Sequence, residues 1–234
     1  MVLLAPAHQF PLGMTLAARR RTGVIQWAHD TAGLVIEDDY DGEFRYDRQP
    51  VGALQALAPE QVVYAGTASK SLAPGLRLGW LVLPAHLVDD VVESRILADR
   101  QASATEQLTL AEFIVSGAYD RQVRRGRLSY RRRRDRLVAA LQRQAPQVRV
   151  TGITAGMHAL LELPASQNEE QIVARAARRG LAIEGLSAYR ADDSRSGPAL
   201  VGGYGTPPDH AFTGAVGRLC AVLSEGDLAH KRDG

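Results

Sequence analysis

At 234 residues with an apolar fraction of 45%, the chain has room for one large domain or two small ones and material for a core. A formal charge of +2 is too small to imply a nucleic-acid partner by itself. The lone cysteine, Cys220, excludes an intramolecular disulfide and fits a reducing compartment. With no apolar run long enough for a bilayer and no signal-peptide pattern, a soluble cytoplasmic protein is expected.

The first segment, "MVLLAP", reads as a buried strand, with nothing before it to supply neighbouring strands. The expectation is a larger protein that has lost its front, or a misplaced start. Residues 15–30 carry a helical pattern with Leu16, Ile25, Trp27 and Ala28 as apolar candidates, and Gly33 marks a break. "LVIE" (34–37) suits a parallel strand buried on both faces, and "VVYAG" (62–66) and "LGWLVLP" (78–84) repeat that character. Helical patterns follow at 85–98 and 106–117, so strands alternate with helices and an α/β layered fold is expected.

From Tyr119 to Gln144 the chain reads as one long basic helix that ends before Pro146. Its arginines could suggest nucleic-acid contact. The favoured reading is a solvated face, with Leu128, Leu137 and Val138 among the buried positions. The pattern then changes. "VRVTGI" and "HALLELP" read as paired strands, "EEQIVARAARRG" as a helix, and "LAIEG" and "PALVGGYG" as strands. A last helix starts after Pro207 and Pro208 and holds Cys220 in its core. The tail "HKRDG" is expected to fray. His29, His86, His210 and His230 have no metal spacing, and no metal is expected.

Two clusters could carry chemistry. In "GTASKSLAPGLRLGW" (66–80), Lys70 sits among small residues and hydroxyls, with Arg77 seven residues on. Glycine, serine and threonine allow close backbone approach and donate hydrogen bonds, and an arginine fork matches phosphate oxygens. A lysine amine attacks an aldehyde only in its unprotonated form. The stretch could therefore hold a ligand that has both an aldehyde and a phosphate. The plainer alternative is a lysine facing water. In "VIEDDYDGEFRYD" (35–47), Asp38, Asp39 and Tyr40 lie just past a strand, where α/β sheets bind ligands. A carboxylate there could keep a pyridine nitrogen protonated, and a tyrosine could hydrogen-bond a phenolate. The alternative is an acidic turn.

Together, "EDDYDGEFRYD" and "VVYAGTASKSLAPGLRLGWLVLP" resemble the fold type I pyridoxal-phosphate (PLP) enzymes, the class I/II aminotransferase superfamily. More narrowly, the chain is similar to the aminotransferase-like domain of MocR/GabR-type regulators of the GntR family. "PAHQFPLG" (6–13) and "LTLAEFIVSGAYDRQVRRGRLSYRRRRDRLVAAL" (108–141) fit that subgroup. The resemblance implies a large-domain remnant with a mostly parallel sheet and a smaller α+β C-terminal domain. The expected boundaries are 1–125 for the PLP-binding part, 126–146 for a basic interdomain helix and 147–228 for the small domain.

By the same resemblance, Lys70 matches the lysine that forms the internal aldimine with PLP. Asp38 matches the acid paired with the ring nitrogen, and Tyr40 the tyrosine near the phenolic oxygen. Thr67, Ser69 and Arg77 match phosphate-binding positions. His8 and Gln9 occupy the turn where aminotransferases carry an asparagine. The resemblance implies that a winged-helix DNA-binding domain and the first half of the large domain, both usual in the family, are expected to be missing from this stretch. Ala188 falls where a substrate-carboxylate arginine is expected, and Arg190 lies two residues later.

The implied function is an amine-sensing domain of a transcriptional regulator, in which an amino compound displaces Lys70 from PLP to form an external aldimine. The implied partners are a small amino compound and a second copy in a homodimer, with DNA reached only through the absent domain and no membrane contact. Two alternatives stand beside it: an active PLP-dependent aminotransferase, with Lys70 as general base, and a non-functional remnant.

Overall fold

The computed structural model describes residues 1–46, 51–190 and 197–230. Asp47, residues 191–193 of the arginine segment and the tail 231–234 lie outside them. The chain divides into two compact units. One holds residues 1–10 and 14–128, the other 11–13 and 129–234.

The first unit is built on a four-stranded sheet in the order β1 (Val2–Leu4), β2 (Val35–Asp39), β3 (Val62–Thr67) and β4 (Gly79–Val82). β1, β2 and β3 run parallel and β4 runs antiparallel to β3. The β-branched runs that favour strands, "VI" and "VV", sit in the two central strands, where Val35 and Val62 are fully buried. Helix α1 (Ala18–Thr31) supplies Ala28 to the same core, beside Leu54 and Ala58. It stops as the sequence foretells. Ala32 turns into the left-handed region at φ 49°, and Gly33 N–H closes on Ala28 O at 2.9 Å. Helices α2 (Val88–Asp99) and α3 (Ala104–Val115) follow. Ser103 caps α3 by accepting the Glu106 N–H.

Helix α4 (Ala118–Gln144) begins in the first unit and ends in the second. The second unit carries an antiparallel sheet in the order β5 (Arg149–Thr151), β6 (His158–Glu162), β8 (Ala199–Gly203), β7 (Glu184–Gly185). Helices α5 (Glu169–Arg178) and α6 (Asp209–His230) complete it. Its core joins Leu137, Leu141, Leu161, Ile172, Leu200 and Phe212, with Cys220 fully buried among them. Asn168 caps α5 through the Gln171 N–H at 2.9 Å.

Four expectations of burial are corrected. β1 and β4 are not buried strands: Leu3 is 65% exposed, and all four residues of β4 are exposed. Both lie at the edges of the sheet among the described residues, so their apolar side chains lack neighbours on one side. Trp27 is exposed on α1, and Leu128 is 55% exposed on α4. Leu128 and Leu137 are nine residues apart, which at 3.6 residues per turn places them on opposite sides of the helix. Leu137 is the buried one, in step with Arg133, Ala140 and Leu141.

Candidate active site

The parallel pairing of β2 with β3 sets Asp38 opposite Ala65 and Asp39 opposite Gly66. Both strands therefore end at the same edge, and the chain at the end of each carries one of the two clusters. This is the position where α/β sheets gather functional groups. Gly66 is required there, because a Cβ would collide with the Trp80 indole of β4.

Asp38 and Asp39 are the last residues of β2 and not, as expected, beyond the strand; with Asp41 just past it, three carboxylates crowd together there. Burial raises the Asp38 pKa above the usual carboxylate range, and the charges of Asp39 and Asp41 push it the same way. Asp39 Oδ2 accepts the Tyr64 hydroxyl at 2.8 Å. Burial and that bond hold the Tyr64 phenol well above its ordinary value. Asp41 is buried and lies 2.7 Å through Oδ2 from Nδ1 of buried His8, which arrives in the chain after β1. Tyr40 adds its hydroxyl 3.4 Å from the same Nδ1, with the two rings stacked at 6.3 Å. Burial, then Asp41 and Asp38, raise the Tyr40 pKa strongly, so its phenol keeps its proton.

Past β3, the lysine turn is held by its own hydroxyls. Thr67 Oγ1 accepts the Ser69 N–H at 3.1 Å and lies 3.0 Å from Ser69 Oγ. Ala68 is fully buried and Ser71 nearly so, whereas Lys70 between them is exposed. Arg77, also exposed, follows a short turn at Pro74–Leu76 and adopts φ 48°, in the left-handed region. Arg190 belongs to the second unit. Its Nη2 donates to Gly197 O at 2.8 Å, next to the turn Leu186–Tyr189.

Sequence reading singles out His8 only by its position in a turn and overlooks Asp41, Glu43, Ser71 and Tyr119. These side chains bond across 33 to 76 positions of chain, a distance no local pattern spans. Asp41 and Glu43 stand in the quoted acidic stretch, and their signal is diluted by the acids beside them.

The donor set can be tested against PLP. A phosphate dianion calls for hydroxyls, backbone N–H groups and a guanidinium, which Thr67, Ser69 and Arg77 supply. An aldehyde calls for a primary amine, present in Lys70. A protonated pyridine calls for an anion, and Asp38 is a carboxylate whose other neighbours repel its charge. The residues fit the group.

Fold and residues together define an α/β protein of the aminotransferase kind. The chain belongs to the family "Aminotransferase class I and II", whose model matches residues 9–193. It is 39% identical to the uncharacterized HTH-type transcriptional regulator YdeL of Bacillus subtilis strain 168, over 80% of this chain and 41% of that protein. It is 32% identical to the HTH-type pyridoxine biosynthesis transcriptional regulator PdxR of Corynebacterium glutamicum, over 96% of this chain and 49% of that one. The chain thus spans less than half of either regulator. Its fold matches LysN, an alpha-aminoadipate aminotransferase from Thermus thermophilus solved with N-(5'-phosphopyridoxyl)-L-leucine. That match has a TM-score of 0.84 at 27% identity, covering 97% of this chain and 59% of LysN. No helix among the described residues is long and apolar enough to cross a membrane.

Proposed function

We propose that this chain is the PLP-binding, aminotransferase-like domain of a MocR/GabR-type transcriptional regulator and that it receives a small amino compound. The observation that carries this reading is the pairing of β2 with β3, which delivers the carboxylate cluster and the lysine turn to one sheet edge. The regulators among its relatives and the phosphopyridoxyl ligand of LysN support it.

When bound, PLP supplies an aldehyde that condenses with an amine, releasing water, and a ring that withdraws electrons from the amine's α-carbon. Lys70 is the amine that anchors it. Thr67, Ser69 and Arg77 hold the phosphate. Asp38 would pair with the ring nitrogen and hold its proton, a pairing that would also relieve the repulsion from Asp39 and Asp41. Tyr40, which keeps its proton, would donate to the phenolic oxygen. Arg190 is the candidate for a ligand carboxylate, and recruiting it would compete with its bond to Gly197 O.

DNA contact is assigned to another part of the regulator, and homodimerisation to this domain. Exposed Ile96 and Leu97 on α2 and Leu108, Ile114 and Val115 on α3 support a protein contact there.

The fold match to LysN favours a second reading, an active aminotransferase. Incubating the PLP-loaded chain with a panel of amines and a keto acid separates the two. Spectral change without a new amino acid supports the sensor. Production of the amino acid corresponding to the keto acid supports the enzyme. No response to any amine contradicts both.

A further inference from the structure

The lysine turn and the acidic loop are bridged by a side chain from a third element. Tyr119, in the first turn of α4, places its hydroxyl 2.7 Å from Glu43 Oε1 and 3.0 Å from Ser71 Oγ. Glu43 lies in the short turn Gly42–Phe44, two residues past Asp41, and Ser71 directly follows Lys70. Further along α4, Arg127 Nε donates to the Glu43 backbone oxygen at 2.9 Å. Glu43 is therefore held at both its side chain and its main chain.

The proton inventory fixes the direction of the chain of bonds. A carboxylate only accepts, so the single Tyr119 proton goes to Glu43. The Ser71 hydroxyl then donates to the Tyr119 oxygen. The phenol is partly buried, and its pKa is pushed up to about 12. Burial is the main cause, the Ser71 bond works the other way, and Glu43 adds to the rise. The phenol stays protonated near neutrality and the bridge stays intact. Ser71 is itself buried at 4% exposure, so a lost bond there is not replaced by bulk water.

We infer that Tyr119 is a positioning residue for the Lys70 turn: through Ser71 and Glu43 it fixes where the lysine amine stands relative to the carboxylates at the end of β2. This rests on the PLP reading above. Among the described residues the Tyr119 hydroxyl bonds Glu43 and Ser71, so its action on Lys70 is indirect. Its effect passes through Ser71, the buried chain neighbour of exposed Lys70.

The test compares wild type, Tyr119→Phe and Ser71→Ala by PLP titration, the visible spectrum of the bound cofactor across pH, and thermal melting without PLP. Ser71→Ala removes the Ser71–Tyr119 bond, and Tyr119→Phe removes that bond together with the one to Glu43. The expected result is a loss of PLP affinity of about tenfold in Ser71→Ala and at least as much in Tyr119→Phe, not additive in the double variant, with the pH midpoint of the visible band displaced. Melting without PLP should fall only modestly, as the loss of a buried hydrogen bond requires, while the spectrum and affinity move with it. Wild-type affinity, spectrum and pH midpoint in both variants overturn the inference and leave the PLP reading standing. So does a lowered melting temperature with an unmoved spectrum, which is the signature of a purely structural bond. If wild type itself takes up no PLP on Lys70, the PLP reading fails and this inference falls with it.

Discussion

Glu37 and Leu54 are joined inside the first unit. Glu37 Oε1 accepts the Leu54 N–H at 2.9 Å, and Oε2 accepts the Gln55 N–H at 3.0 Å. The carboxylate is 2% exposed, in the middle of β2, so the strand that leads to Asp38 is tied to the turn that leads to β3. Removing it leaves two backbone donors without that partner, the Leu54 N–H in a buried position and the Gln55 N–H in a part-buried one. Glu37→Ala should cost about 2–4 kcal/mol of stability, and Glu37→Gln, which keeps one acceptor, about half as much. Chemical denaturation of the three proteins checks the order.

A second buried carboxylate organises the second unit. Burial would raise the Glu169 pKa, but hydrogen bonds from the Ser187 hydroxyl and from the Ala199 and Ser187 N–H groups, with the Arg190 charge, lower it below the ordinary 4.5. A depressed folded pKa gives stability that is full above the unfolded value and lost as pH falls through the folded one. The second unit should therefore weaken as pH drops below about 4.5, and Glu169→Gln should be less stable at neutral pH with a flatter acid profile. Denaturation followed from pH 7 to about pH 3 measures both.

Arg133 is nearly buried and donates to Tyr204 O at 3.2 Å, to Gly205 O at 3.0 Å and to Asp209 Oδ1 at 2.6 Å, while its guanidinium lies 5.2 Å from the Phe212 ring centre. A lysine has neither the planar fork nor the stacking face. Arg133→Lys should recover little of the roughly 2–4 kcal/mol lost in Arg133→Ala. Paired melting curves test this.

Cys220 is fully buried in α6, and burial raises its thiol pKa above the ordinary value. Thiolate is the reactive form, so the native chain should resist iodoacetamide at neutral pH and be labelled at Cys220 once unfolded. Fast labelling of the folded protein would contradict this packing.

Much of the fold is legible because it is written locally. Alternating apolar runs and helical patterns announce the α/β order, and Gly33, Pro146 and Pro208 mark ends that the structure keeps. What strand pattern does not encode is which strand lies at an edge, and so β1 and β4 read as buried when they are not. Leu128 misleads for the same reason: a leucine on a basic helix reads as core until a partner is shown to be missing. The quoted clusters at the ends of β2 and β3 contain the candidate site residues of the first unit. Glu37, Glu169, Arg133 and Tyr119 stay hidden. Each looks like an ordinary polar surface residue, and each acts through a partner 17 or more positions away.

The fate of Lys70 decides whether this domain holds PLP. The purified chain is titrated with PLP, reduced with borohydride, digested and mapped, with Lys70→Ala treated in parallel. A visible absorption band and a single stable phosphopyridoxyl adduct on the Lys70 peptide are expected, both lost in Lys70→Ala. Labelling scattered over surface lysines, with wild type and Lys70→Ala indistinguishable, would contradict PLP binding at Lys70.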